Sequence, residues 1–479
     1  MEESSIKSKT ISGVKWSAVE SFLTQGIQFL IGLVLARLLA PSDFGVVGML
    51  AIFIAISQSL VDSGFSNALI RKVDRSEQDF YTAFYFNIVV GILMYLLLCL
   101  FAPYIASFFN VPVLEKLIYV LSLCVLFDSF CVVQRARLAI AVDFKTQAKA
   151  TLISVVISGV IAILLALNNC GIWSLVCQQV LRSVINTFLL WILTRWFPKM
   201  VFSWSSFRAL FSFGSKIMIA GLISTIYQHL STVAIGKFYT PTDLGFYSRG
   251  QQFAMLPSVN LNTVIQRVTF PILSKIQNDN QRLIDTYRHY ICSSSLLIFF
   301  CMVFLASIGR PLVLVLLGEK WAEATIYLQI FCFAYMFDHI CSINLNLLYI
   351  KGRSDLVLKL EVIKKSIAFI ILIVSIKYGV IWICASKILY TQIAVLINTY
   401  YTGKLFHLGY LQQIRDFGPF LLLSLLVCAP FYILGEIGLH PLVVLGVSCI
   451  LAPLLFIFIL RRNLYMTEII GIVRNQLKL

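Results

Sequence analysis

Long runs of apolar residues dominate this chain and leave few folds open to it. Fourteen segments are apolar over most of their length, at about 15–38, 44–68, 80–108, 114–134, 149–168, 172–194, 209–236, 246–273, 289–309, 322–349, 358–377, 379–402, 417–435 and 440–460. A bilayer's hydrocarbon core is about 30 Å thick, and a helix of roughly 20 apolar residues crosses it. The runs are continuous and do not alternate, so helices rather than barrel strands are the spanning elements. Two pairs of segments are separated only by short turns, at Asn168-Asn169-Cys170-Gly171 and around Gly379. The expected fold is an all-α polytopic membrane protein of about 14 helices.

A formal charge of +16 suggests nucleic acid in a soluble protein. This chain is 59% hydrophobic and only 13% charged, and the positive-inside rule explains its charge better. With the N-terminus in the cytoplasm, 29 Lys and Arg residues fall on the cytoplasmic side. Seven fall outside: Arg37, Lys116, Lys237, Arg249, Arg310, Lys320 and Lys377. The expectation is a multi-pass protein with both termini cytoplasmic and no nucleic-acid partner. The polar start and the long first apolar run argue against a cleavable signal peptide. The twelve cysteines lie in or beside apolar segments with no metal-ligand spacing such as CxxC, so they read as small hydrophobes. No GxGxxG, P-loop or HExxH occurs, so no cofactor, metal or ATPase site is expected.

The chain also repeats itself. Phe127-Asp128-x-x-Cys131 recurs as Phe337-Asp338-x-x-Cys341, and Lys149 recurs as Lys359, both at an offset of 210. Pro41-Ser-Asp-Phe-Gly45 matches Pro241-Thr-Asp-Leu-Gly245, Gln28 matches Gln228 and Arg37 matches Lys237, all at 200. Gly13-x-Lys15 matches Gly214-x-Lys216 at 201. The growing offset fits one insertion in the cytoplasmic loop near 274–288. The expected organisation is two parallel six-helix repeats, 1–204 and 205–403, with two additional helices and a cytoplasmic tail at 404–479. Two such lobes can rock around a central cavity, which is the geometry of alternating access.

Charged residues within the membrane are costly and are site candidates for that reason. Arg182 lies within the sixth apolar segment (172–194) and Lys387 within the twelfth (379–402), about one turn from the equivalent place. Two cations facing one wet cavity would suit a phosphate or pyrophosphate, although each could instead pair with a carboxylate and lock helices together. Lys15 and Lys216 open the two halves at the cytoplasmic mouth. They would draw in an anionic headgroup or simply follow the positive-inside rule. Four intramembrane acids, Asp62, Glu20, Asp128 and Asp338, are candidates for ion coupling. The plainer reading of Asp128 and Asp338 is that they organise the basic loops holding Arg135/Arg137 and Lys351/Arg353. Asp62 precedes Ser63-Gly64-Phe65, a weak point where it could bond freed backbone. The Pro-[ST]-Asp-x-Gly pair reads as a tight turn, with the aspartate capping the next helix and the glycine relieving crowding.

Three stretches resemble a known family: Gly13-Val-Lys-Trp16, Leu35-Ala-Arg-Leu-Leu-Ala-Pro-Ser-Asp-Phe-Gly45 and Val61-Asp-Ser-Gly-Phe-Ser-Asn-Ala-Leu-Ile70. They are similar to the polysaccharide transport branch of the MATE/flippase (MOP) superfamily. Helix count and repeat layout extend the likeness over the whole chain, but the specific motifs lie in its first 70 residues. The resemblance implies a Wzx-like flippase of the bacterial inner membrane. Such a protein moves undecaprenyl-diphosphate-linked oligosaccharide from the cytoplasmic to the periplasmic leaflet, for O-antigen, capsule or exopolysaccharide assembly. Arg182 and Lys387 would then hold the diphosphate while the lipid tail stays in the bilayer, against the last two segments (417–435 and 440–460). Membrane lipid and polysaccharide assembly proteins are the further partners implied, and no covalent chemistry is required.

Two other readings compete. A drug or cation antiporter of the same superfamily would line its cavity with acids and few cations, against which Arg182 and Lys387 argue. A membrane polysaccharide polymerase or ligase would need a large outer loop with basic and histidine residues, whereas the outer loops here are short.

Overall fold

The computed structural model describes residues 22–62, 64–461, 463, 465 and 467. Lys15, Glu20 and the Gly13–Trp16 motif lie outside the described residues. Among those described there is no strand. The helices run α1 (Phe22–Leu38), α2 (Pro41–Asp62), α3 (Phe65–Arg71), α4 (Glu77–Phe109), α5 (Val113–Leu121), α6 (Leu123–Ser129), α7 (Val132–Ile140), α8 (Phe144–Leu167), α9 (Trp173–Thr194) and α10 (Trp204–Phe238). They continue with α11 (Pro241–Lys275), α12 (Asn280–Ser307), α13 (Gly309–Leu316), α14 (Ala324–Tyr335), α15 (Asp338–Ile350), α16 (Ser354–Ser375), α17 (Val380–Phe406), α18 (Tyr410–Glu436) and α19 (Pro441–Leu460).

Among the described residues, eleven helical stretches are long and apolar enough to cross a membrane. They count α2–α3, α5–α7 and α14–α15 as single crossings. Three further segments read as spans from sequence fall short of that measure. The described part of α1 is short, α11 carries Arg249, Asn260, Asn262 and Arg267, and α16 carries Lys359, Glu361, Lys364 and Lys365.

Local sequence explains where the helices start and break. Proline opens α2, α11 and α19, a position where its missing N–H costs nothing. Asp43 reaches back to the Ala40 amide at 3.1 Å and Asp243 to the Thr240 amide at 3.1 Å, so both duplicated aspartates cap the helix they belong to. Between α2 and α3 the chain turns at Gly64 with φ 66°. A Cβ there would lie 2.4 Å from the Gly214 carbonyl oxygen, so the turn requires glycine twice over.

The run 114–134, read as one helix from sequence, is interrupted at Ser122 and again at Phe130-Cys131. No proline or glycine marks these breaks. At the second break the Phe130 and Cys131 amides bond back only three residues, to Phe127 and Asp128. Side chains of α9 take up carbonyls along the interrupted helix: Ser183 bonds Cys124 O at 3.1 Å, Thr187 bonds Phe127 O at 2.9 Å and Trp191 bonds Phe130 O at 2.9 Å. Their spacing of four puts all three on one face of α9. In hydrocarbon a loosened carbonyl must find a partner inside the protein.

The chain forms two compact units, Met1–Gly245 and Phe246–Leu479. In the first, α10 packs along α2 through small residues: Gly236 against Met49, Gly221 against Ser59 and Gly214 against Gly64. The duplicated motifs, read from sequence as tight turns, instead form the first turns of α2 and α11, and they meet at one end of the α2–α10 pair. A Cβ on Gly45 would fall 1.6 Å from the Pro241 carbonyl oxygen, and one on Gly245 would fall 2.0 Å from that of Pro41. Each glycine therefore makes room for the other motif's backbone.

In the second unit α18 packs along α12. Arg288 forks onto Asp416 at 2.9 and 2.6 Å, a bidentate geometry that fixes helix orientation. Asn344 and Gln413 exchange amide bonds at 3.0 and 3.1 Å, and Thr402 donates to Asn344 at 2.9 Å. These bonds tie α15, α17 and α18 together, and Arg310 pairs with Glu436 near the other end of α18.

Candidate functional site

A cavity of about 710 Å³ lies inside the first unit, walled by residues of α2, α3, α6, α7, α8 and α9. Three residues singled out from sequence, Asp62, Asp128 and Arg182, line it together. They come from the end of α2, from α6 just before its break and from the middle of α9. The break stops α6 at Ser129 and leaves the Asp128 carboxylate at the cavity wall.

Asp128 is the best-tethered group. It accepts from Gln58 Nε2 at 3.1 Å and Ser183 Oγ at 2.9 Å, and pairs with Arg135 Nη2 at 3.3 Å. Arg135 is therefore a cavity residue. Sequence reading assigned it to a cytoplasmic loop, because seven residues separate it from Asp128 and the helix break between them is not visible in the letters. The charges of Asp62 and Asp128 both act on Arg135, and those of Asp128 and Arg135 act on Arg182.

Arg182 is exposed to the cavity. With the Gln28 amide oriented by its hydrogen-bond neighbours, its carbonyl accepts from both terminal guanidinium nitrogens, at 2.5 and 3.1 Å. Gln28, on α1, thus aims the guanidinium. Gln147, Gln179 and Asn186 complete the polar lining. Sequence reading missed these amides, since an uncharged side chain in an apolar run is far less conspicuous than a charge.

The other candidates lie elsewhere. Lys216 is exposed on α10 and does not line the cavity. Asp338 and Lys387 belong to the second unit, half-buried on α15 and α17, with the lysine near enough for its charge to act on the carboxylate. Lys364 on α16, only 5% exposed and paired with Glu361 at 2.5 Å, is another cation of this unit, one that sequence reading did not single out. Among the described residues no three His, Cys, Asp or Glu side chains cluster as a metal would need. A second cavity of about 400 Å³ in this unit is mostly apolar, lined by α12, α14 and α18 residues including Val303, Phe333, Leu425 and Tyr432.

An all-helical membrane protein with a charged, amide-rich cavity inside one unit has the form of a transporter. Comparison with known proteins agrees. A family model described as "Polysaccharide biosynthesis protein" matches residues 34–326, more than half of the chain. The chain belongs to this family and is a Wzx-like member of the MOP superfamily. It is 26% identical to the teichuronic acid biosynthesis protein TuaB of Bacillus subtilis, over 74% of this chain and 73% of that protein. It is also 26% identical to the lipopolysaccharide biosynthesis protein WzxC of Escherichia coli, over 75% and 74% respectively. In fold it is similar to the lipid II flippase MurJ in an inward closed conformation, with TM-score 0.73 at 14% identity, covering 94% of this chain and 99% of that one.

Proposed function

We propose that this protein flips undecaprenyl-diphosphate-linked oligosaccharide from the cytoplasmic to the periplasmic leaflet of a bacterial inner membrane. The observation that carries the reading is the cavity of the first unit. It offers two guanidinium groups, Arg135 and Arg182, beside a lining of amides and hydroxyls. Guanidinium forks suit phosphate oxygens, and amides and hydroxyls suit sugar hydroxyls. The names of TuaB, WzxC and MurJ place polysaccharide biosynthesis and lipid II flipping among similar proteins, which supports the same substrate class.

In this reading the chain crosses the membrane fourteen times with both termini cytoplasmic, as two six-helix repeats, 1–204 and 205–403, followed by the pair within 404–479. The repeats rock by alternating access. Lys15, Lys216, Arg182 and Lys387 are the cations that engage the diphosphate head in this reading. Asp62, Glu20, Asp128 and Asp338 are the groups through which an ion gradient would be coupled. The apolar cavity beside α18 has the character a polyprenyl tail needs.

The test is complementation of a flippase-null strain by wild type, Arg182→Ala and Lys387→Ala at matched membrane expression. The readouts are surface glycan and trapped lipid-linked precursor. Wild type is expected to restore glycan, and each variant is expected to accumulate precursor. If both variants match wild type, these cations are structural and do not hold the substrate.

A further inference from the structure

The ion pair in the wall of the first unit's cavity is a loose one. Arg135 meets Asp128 through a single contact of 3.3 Å, Nη2 to Oδ1, and its side chain stays 42% exposed. The Arg288–Asp416 pair of the second unit has the same arginine exposure but is forked through two bonds of 2.9 and 2.6 Å. A bidentate fork fixes geometry, and a single long contact does not. One pair is built to hold and the other to part.

Asp128 can release Arg135 without being left bare. Its Oδ1 also accepts from Ser183 at 2.9 Å and its Oδ2 from Gln58 at 3.1 Å, so each carboxylate oxygen keeps a neutral donor. Arg135 has no such reserve: among the described residues, Asp128 is its one ion-pair partner. A guanidinium parted from its carboxylate at membrane depth is an uncompensated charge, which is costly. A phosphate oxygen offers the same charge-assisted bond that the carboxylate does. Arg135 can therefore leave Asp128 when an anion arrives, and has to return to it when the anion departs.

We infer that Asp128 is a resident substitute for the substrate's phosphate. In the empty carrier it pairs with Arg135. When the diphosphate enters, Arg135 gives up the carboxylate and takes a phosphate oxygen, and when the cargo leaves, the pair re-forms. Arg135 is thus satisfied in both halves of the cycle, and the empty protein resets without a bare cation. The pair spans the Phe130-Cys131 break, so the exchange also unties α7 from α6. Asp128 is a positioning residue that acts through Arg135. This inference rests on the diphosphate reading above and extends it to how the site is kept between substrates.

The experiment is binding of farnesyl diphosphate to the purified full-length protein in nanodiscs, set beside complementation of a flippase-null strain. Asp128→Asn frees Arg135 and keeps an acceptor for Ser183. It is expected to bind about tenfold more tightly than wild type and still to accumulate precursor, because the empty form no longer resets. A merely structural role predicts the opposite sign for binding. Asp62→Asn removes a carboxylate of the same wall without freeing Arg135 and is expected to gain less. In an Arg135→Gln background, Asp128→Asn is expected to give no gain. In wild type itself, amide exchange over 128–135 is expected to quicken when ligand binds, since the tie across the break is gone. Binding by Asp128→Asn that is unchanged or weaker, a gain matched by Asp62→Asn or kept without Arg135, glycan restored to the wild-type level, or unchanged or slower exchange in wild type would each overturn the inference and leave the diphosphate reading standing. No binding of farnesyl diphosphate by wild type would overturn both.

Discussion

The same five-residue pattern, Phe-Asp-x-x-Cys, sits at a helix break in both units and is used differently in each. In the first unit the break follows the aspartate, at Phe130-Cys131, and Asp128 takes bonds from three helices at the edge of a polar cavity. In the second the break precedes it, at Met336-Phe337, and Asp338 makes no hydrogen bond or ion pair among the described residues. Its charged neighbour is Lys387, and beside it His339 is fully buried against Ser295 at 2.9 Å and the ring of Phe299. A duplicated letter pattern thus preserves a backbone interruption without preserving the chemistry around it. Function in a two-fold repeat has to be argued unit by unit.

That contrast can be broken by substitution. Asp128→Ala orphans three donors and is expected to cost about 3 kcal/mol, read as thermal unfolding in detergent together with loss of glycan in complementation. Gly45→Ala comes next, at about 2 kcal/mol from forced overpacking, read as a lower melting temperature. Trp191→Phe removes one bond to a carbonyl at the break and is expected to cost about 1 kcal/mol, seen as faster hydrogen exchange around 126–134. Asp338→Asn is the mildest, within about 0.5 kcal/mol in the same melting assay. If Asp338→Asn proved as damaging as Asp128→Ala, the two breaks would be equivalent after all.

Much of this was legible in the letters, and the reasons are physical. An apolar run long enough to span hydrocarbon has one structural solution, so each of the fourteen segments read from sequence corresponds to helix in the described residues. Asp62, Asp128 and Arg182 stood out because charge in such a run is expensive and rare. Arg135 did not, because a cation near a helix end satisfies the positive-inside rule without further explanation. Neither did the helix breaks, since they are held by Ser183, Thr187 and Trp191 from another helix rather than by a local proline or glycine. The glycines of the duplicated motifs read correctly as relief of crowding, although the motifs open helices and are not tight turns, and the crowding partner, each motif's counterpart 200 residues away, exists only in three dimensions.

The reciprocal seat of Gly45 on Pro241 and Gly245 on Pro41 carries a consequence for genetics. The obstacle to a side chain at either glycine is a main-chain carbonyl, and every amino acid has one. A loss-of-function allele at Gly45 therefore cannot be rescued by replacing the residue it strikes. Revertants should be true reversions, or distant changes that reposition a whole helix, and a suppressor screen on this pair should return an empty list at Pro241.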